Sequence, residues 1–383
     1  MEKLKVGFVG VGWMGQTLLK RLAERRDVEV LAVFEPNAQQ GREVLGQLGL
    51  PANLLVDDFA RLTDNPAVDS VWVVSPNGFH GAQTIQALLA GKHVFCEKPA
   101  ATEFADYLEQ IALEKANPRL ITMVDYILYF DTMETLLRRM AAEGQFGKIT
   151  QIQVNYRHPI NIAGSKAWKL DRRIMGDAIG MGVVHGLSAM VYIMAAQAKP
   201  VEVYAINMPA QVRAFEAEPI WNILLRFDNG ATGFCFGNID SGNGYDAAHN
   251  LYGTEGAFMF DSFADRPAKV RYWSNRSTNG QWVWPLDAQR CAEAGFASLA
   301  WPADATTPDS GDVMQHQTAA TVDHFVQCAR TGVKSPLSFV NSAPIAEIGW
   351  AAQMSAAMHR PVALPLDEAQ ARAFFAGQGR HGK

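Results

Sequence analysis

Two short runs carry the residue types that could work on a bound molecule: Ser75-Pro76-Asn77-Gly78-Phe79-His80 and Glu97-Lys98-Pro99. Each follows a stretch of β-branched and aromatic residues that reads as a strand. Where strands run parallel, their carboxyl ends form the crevice in which ligands sit. A lysine in that crevice can hydrogen-bond a substrate oxygen and stabilise negative charge developing on it. For Asn77 and His80, turn and helix-start roles compete with ligand contact. A third candidate is His185, in the apolar run Gly180-Met181-Gly182-Val183-Val184-His185, because an imidazole exchanges a proton near neutral pH.

What the crevice would hold is written at the start of the chain. Val6 to Val9 runs into Gly10, Gly12 and Gly15, with Trp13 and Met14 opening a helix and Glu35 at the tip of the next strand. The first glycine permits a tight turn, the second lets backbone approach a pyrophosphate, and the third lets helix and strand pack closely. The helix N-terminus then meets the phosphate charge. A carboxylate at Glu35 accepts hydrogen bonds from ribose hydroxyls and repels a 2′-phosphate. Pro36 and Asn37 bring no cation to offset it, so NAD is favoured over NADP.

The elements that must position these residues alternate through the first third of the chain. Strands are expected at Lys5 to Val9, Val28 to Phe34, Ser70 to Ser75, His93 to Glu97 and Leu120 to Val124, with helices such as Thr17 to Arg25 between them. This alternation predicts an α/β fold whose first domain, residues 1–124, is a Rossmann-type doubly wound parallel sheet. Past Asp125 the pattern changes. A helix over Thr132 to Glu143 leads into alternating runs at Ile149 to Tyr156, Val201 to Met208, Trp221 to Phe227 and Ala231 to Ile239. They predict a second α+β domain, residues 125–383, built on a large, mostly antiparallel, open-faced sheet.

Asp228-Asn229-Gly230 marks a hairpin between two of these strands, and Glu255-Gly256 precedes another at Ala257 to Phe260. Leu286 to Asp312 reads as a long unpatterned loop, at the site or at a subunit contact. Helices are expected over Val313 to Arg330 and Ser342 to His359.

Bulk composition narrows the function classes. At 383 residues two domains are the default. A net charge of −5 with dispersed basic residues argues against nucleic acid or an anionic membrane as partner, and for small-molecule chemistry. Ala178 to Ala198 is apolar enough to raise a membrane question, but its His185, Ser188 and glycines favour a buried helix. The four cysteines, Cys96, Cys235, Cys291 and Cys328, lack metal-binding spacing, so free thiols, no metal and a reducing, cytoplasmic setting are expected. The charged stub that leads directly into a strand leaves no room for a signal peptide. The broad second sheet predicts a homodimer or homotetramer.

Taken together, the glycine fingerprint, Ser75-Pro76-Asn77 and Glu97-Lys98-Pro99 resemble the glucose-fructose oxidoreductase and inositol dehydrogenase (Gfo/Idh/MocA) family, with Gln145 to Ile149 and Gly349 to Leu364 similar to its middle and end. The resemblance implies NAD(P)-dependent redox chemistry on a sugar or cyclitol carbinol bound between the domains, with Lys98 beside the nicotinamide. It further implies that Ser75, Pro76, Asn77, His80, Glu97 and Lys98 line the cofactor. Many members pair an Asp with a His four positions on. Here His185 matches the histidine, but Met181 stands where the aspartate would be.

Asp177, one turn before Met181, is a candidate replacement catalytic acid, and equally a helix-start residue stabilising the dipole. Trp168 and Lys169 fall where the family contacts substrate, as a ring platform and a hydroxyl donor, or else as packing and a solvated charge. Tyr126 and Tyr129 are possible pocket residues or interface core, and His249 and Asn250 are lesser candidates. The reading is an NAD-dependent dehydrogenase or reductase for a secondary alcohol or ketone of a sugar, glycoside or cyclitol. Two rivals stand beside it: an NAD-dependent glycosidase or eliminase that retains its cofactor, and a non-catalytic sugar sensor.

Overall fold

The computed structural model describes residues 3–242, 244, 246–260, 270–296, 299–305 and 317–377. Its first half alternates β1 (Leu4–Val9), α1 (Trp13–Ala23), β2 (Val28–Phe34), α2 (Ala38–Gln47), β3 (Leu55–Val56), α3 (Ala60–Thr63), β4 (Ser70–Val73), α4 (His80–Leu89), β5 (His93–Cys96), α5 (Phe104–Ala116) and β6 (Thr122–Val124). The six strands make one parallel sheet in the order β3-β2-β1-β4-β5-β6. The order reverses beside β1, which brings the glycine turn after β1 next to the end of β4. Both helical strips and buried strands follow from the sequence: β4 is buried at every position, as a strand covered on two faces must be.

The second half holds α6 (Thr132–Ala142), β7 (Ile149–Arg157), α7 (Arg172–Met175), a π-helical turn over Ile179–Val183, α8 (Val184–Met194), β8 (Pro200–Met208), β9 (Ile220–Phe227), β10 (Thr232–Asn238), β11 (His249–Gly253), β12 (Gly256–Phe260) and β13 (Val270–Ser274). It closes with α9 (Ala288–Glu293), α10 (Thr318–Thr331), α11 (Ala343–Met358), β14 (Val362–Ala363) and α12 (Glu368–Gly377). Eight strands pair in the order β13-β12-β11-β7-β10-β9-β8-β14. Every pairing is antiparallel except β10 with β7. Gly230, at φ +85°, makes the β9–β10 turn that Asn229-Gly230 announces.

Two expectations change, and part of a third lies outside the described residues. The single buried helix over Ala178 to Ala198 is instead a π-helical turn followed by α8, which stops at Met194. Leu286 to Asp312 is not wholly irregular, because Asp287 accepts the Arg290 N–H at 3.0 Å and starts α9; its residues 306–312 lie outside the described ones. The helix expected from Val313 is described only from Thr318, since 313–316 also lie outside.

One face of the eight-stranded sheet is covered by α8 and α11, with Val203, Ile223, Leu225 and Cys235 fully or almost fully buried beneath them. The opposite face keeps apolar side chains in view: Phe234 is opposite Leu224, which is opposite Tyr204, and Ile206 is 53% exposed. Among the described residues, no helix is long and apolar enough to cross a membrane, and no cluster of His, Cys, Asp or Glu could hold a metal ion. All four cysteines are buried free thiols.

The parallel sheet is not completed by its own segment. Helix α10, from late in the chain, lies against α1 and β1. Its Phe325 meets Trp72 and Phe95 edge-on, at ring-centroid distances of 5.1 and 5.6 Å, while Trp72 and Phe95 stack at 4.1 Å. Ion pairs of Arg25 with Asp323 and of Arg330 with Asp27 flank this contact. Because the ring is fully buried among other rings, Phe325→Ala is expected to cost about 3–5 kcal/mol of stability. A denaturant midpoint equal to that of the parent chain would refute that placement of α10.

Candidate active site

Gly10 takes φ +86°, and a Cβ there would lie 2.6 Å from the Val74 carbonyl, so β1 can turn against the end of β4 only with glycine. At Gly12, by contrast, a Cβ would meet nothing within 4 Å. Gly12 precedes α1, whose first turn receives no side-chain cap. The outcome is an open cradle of backbone N–H groups, a shape suited to an anion. The Glu35 carboxylate lies at its edge, accepting the Val11 N–H at 3.0 Å and the Asn37 N–H at 3.1 Å, while Trp13 stands half exposed beside it.

Across the crevice, the two motif-bearing strand ends are tied together by His80. Its buried ring contacts the Ser75 carbonyl at 2.6 Å through Nε2 and the Pro99 carbonyl at 2.7 Å through Nδ1. Burial pushes its pKa down more than these carbonyls raise it. Ser75 donates its hydroxyl to Gln83 at 2.6 Å. Buried Asn77 donates to the Met175 carbonyl at 2.9 Å, so this residue spans from the first sheet to α7.

Lys98 makes the central contact. Its Nζ donates to the Met181 carbonyl at 2.8 Å, and Met181 lies one turn before His185. Pro99 fits the same seam: a Cβ on Gly180 would come within 2.8 Å of the Pro99 ring. Burial lowers the Lys98 pKa, opposed by the charges of Glu97 and Asp125. His185 is 8% exposed, its ring 5.5 Å from that of Tyr156. The residue where a carboxylate was expected thus contributes a backbone oxygen.

Asp177 directs its carboxylate elsewhere. Oδ1 accepts the Gly180 N–H at 2.8 Å, and Oδ2 accepts from Gln353 on α11 at 3.2 Å, which is the work of a helix-start residue. Lys169 does approach the group. Its pKa falls to about 8, through burial first and then the nearby charges of Lys98 and Lys166, and its ammonium lies 5.9 Å from the Trp168 ring centre. Tyr126 is 2% exposed in the core of the parallel sheet, and the ring of Tyr129 lies tilted against that of Tyr192 at 4.2 Å. His249 pairs with Glu134 at 2.6 Å in the second core, and Asn250 accepts the Phe260 N–H at 3.0 Å.

One group in the site escaped the motifs. Asp125, immediately after β6, is 2% exposed and sits beside Glu97 at the end of β5. An acid directly after a predicted parallel strand was the available signal.

Residues 4–126 match the family described as "Oxidoreductase family, NAD-binding Rossmann fold", and residues 135–259 match the "GFO/IDH/MocA C-terminal domain", together well over half of the chain. The chain belongs to the Gfo/Idh/MocA family. An inositol 2-dehydrogenase of Salmonella paratyphi B is 29% identical over 202 residues, 52% of this chain and 57% of the relative, so the chain spans little more than half the length of such curated relatives. Two solved structures share the fold. An aldose-aldose oxidoreductase from Caulobacter crescentus has a TM-score of 0.74 at 24% identity, covering 95% of this chain and 100% of that one. A levoglucosan dehydrogenase complexed with NADH and levoglucosan has a TM-score of 0.74 at 21% identity, with 95% and 100% covered.

As the Rossmann domain of a Gfo/Idh/MocA protein, the first sheet is an NAD-binding unit, and its residues fit the cofactor. The open space at Gly12 and the uncapped start of α1 suit a pyrophosphate, and Glu35 at the end of β2 suits ribose hydroxyls. The two glycines should therefore separate on substitution. Gly12→Ala is expected to leave thermal stability within about 0.5 kcal/mol of the parent while NAD affinity drops tenfold or more, because its methyl group enters the cradle rather than the protein. Gly10→Ala is expected to cost stability by about 1–3 kcal/mol before cofactor is added. Calorimetric titration and thermal melts measure both; a Gly12→Ala protein with parental NAD affinity would move the pyrophosphate elsewhere.

Proposed function

We propose that this Gfo/Idh/MocA protein is an NAD-dependent oxidoreductase that oxidises a secondary alcohol of a sugar, glycoside or cyclitol, or reduces the matching ketone. The observation that carries the reading is the Lys98 ammonium at the carboxyl edge of the NAD-binding sheet, held one turn from His185. When bound, NAD supplies the hydride acceptor or donor. Lys98 exchanges its bond to the Met181 carbonyl for one to the substrate oxygen and stabilises charge there. His185 takes the hydroxyl proton during oxidation and returns it during reduction. Lys169 and the face of Trp168 hold the polyol beside them.

Names of the relatives, inositol 2-dehydrogenase and levoglucosan dehydrogenase, support a polyol or sugar substrate. Asp177 is given the supporting task of starting the helical run that carries His185. Tyr126 buttresses the first sheet from within. The domain division is drawn after residue 124, with α10 returning to the first sheet. The apolar row of Phe234, Leu224 and Tyr204 supports a homodimer or homotetramer through the open sheet face. Four buried free thiols support a cytoplasmic setting.

Met181 in place of an acid keeps one second reading in play, redox-neutral glycoside cleavage with retained NAD. A screen of sugars, cyclitols and glycosides that follows NADH absorbance and product together tests both: net NADH formed in step with product supports the dehydrogenase, and product without NADH supports cleavage. On the substrate so found, Lys98→Ala is expected to lower kcat by roughly two to four orders of magnitude with NAD affinity kept, and His185→Ala to remove one ionisation from the pH–rate profile. Near-parental turnover in the Lys98 variant would refute the site.

Cofactor choice is a separate expectation. NAD binds more tightly than NADP because Glu35 repels the extra phosphate, and Glu35→Ser combined with Pro36→Arg narrows the difference. Titration of the parent protein with both cofactors decides it, and a preference for NADP would overturn the role given to Glu35.

A further inference from the structure

In the parallel sheet, Cys96 pairs with Val124, and the Asp125 N–H donates to the Cys96 carbonyl at 2.9 Å. The next side chains, Glu97 and Asp125, therefore leave the sheet side by side. Both are nearly excluded from solvent, at 8% and 2% exposure, and Asp125 Oδ1 is buried with no hydrogen-bond partner among the described residues. The Lys98 N–H donates to Glu97 Oε2 at 3.2 Å. Two carboxylates this close and this dry cannot both be ionised, so one proton between them is the low-energy arrangement.

We propose that Asp125 is a positioning residue that shares one proton with Glu97, so that a single negative charge stays fixed behind Lys98. This assignment goes beyond the motif residues and rests on the reading of Lys98 as the group that meets the substrate oxygen. It answers the question that Met181 raises. Met181 supplies Lys98 with a carbonyl and no charge, and Asp177 is bonded to Gly180 and Gln353. The countercharge then comes from behind, from the paired strand ends that carry Glu97 and Asp125.

The charged and titratable groups around the pair agree. Burial raises the pKa values of both carboxyls, Asp125 more strongly, with the Glu97 charge adding to it and Lys98 opposing. The buried Cys96 thiol is pushed above the range in which it ionises, so it adds no charge. Burial lowers the His80 pKa against the pull of its two carbonyl partners, and burial with the Lys98 charge lowers that of Lys169 to about 8. Thr321 of α10 faces Asp125 with a hydroxyl only.

The test reads the proton directly. Difference infrared spectra of the full chain at pH 7, parent minus Asp125→Asn, are expected to contain the carbonyl band of a protonated carboxylic acid, because the remaining Glu97 ionises beside Lys98. Glu97→Gln, read the same way, covers the case in which the Asn variant fails to fold. No such band in either difference overturns the proposal.

A second arm uses the substrate. Glu97→Gln with Asp125→Asn, which leaves Lys98 without countercharge, is expected to move the alkaline limb of the kcat profile down by roughly one pH unit or more, about tenfold in the proton affinity of Lys98. Asp125→Asn alone, which leaves one charge, moves it by less than about half a unit and lowers kcat with little change in KM. A limb that stays in place in the double variant also overturns the proposal. If the infrared band appears while Lys98→Ala turns over like the parent, the pair stands and the catalytic reading of Lys98 falls.

Discussion

A hydrogen bond from the Lys98 ammonium to the Met181 carbonyl joins the carboxyl edge of the parallel sheet to the helical run that carries His185. Everything else in the crevice is arranged around making that contact possible. Gly180 has no side chain because the Pro99 ring occupies the place where one would be. Asn77 crosses the same seam to the Met175 carbonyl, and His80 holds the strand ends that carry Asn77 and Lys98 at one spacing. Neutral donors and carbonyls do this joining. A carbonyl is a partner an ammonium can leave at modest cost, which suits the exchange for a substrate oxygen proposed for this lysine.

The acids around the crevice are each engaged by neighbouring groups. Of the carboxylates near the site, Asp177 is spent on starting a helix, Glu35 holds the glycine loop, and Glu97 and Asp125 are buried behind the lysine. Lys98 and the partly buried Lys169 lie near one another, and burial, with the Lys98 charge, brings the pKa of the second down to about 8. The first turn of α1, with no side-chain cap, keeps its N–H groups open beside the glycine turn.

Much of this was readable from residue order. Alternating strands and helices gave the parallel sheet because a strand buried on both faces has to be apolar throughout, and Asn229-Gly230 gave a hairpin because its backbone demands positive φ. The Met181 contact was not readable, since the atom involved is a backbone oxygen and any residue supplies one. The parallel pairing of β7 with β10, separated by two other strands in sequence, leaves no local mark. β11 and β13 leave little mark because their short runs, His249–Gly253 and Val270–Ser274, mix polar with apolar residues. Asp125 was visible as an acid after a strand, but its significance depends on sheet register, which sets it beside Glu97.

The late return of α10 to the first sheet has a consequence for how the protein comes into being. Trp72 and Phe95 emerge from the ribosome early, yet the ring that covers them, Phe325, is synthesised only after seven of the eight strands of the second sheet. Until then the nascent NAD-binding unit exposes a stacked aromatic surface of the kind that chaperones bind and that aggregation exploits. Vectorial synthesis therefore does not deliver this chain one finished domain at a time. Closing the first domain waits for the last quarter of the chain.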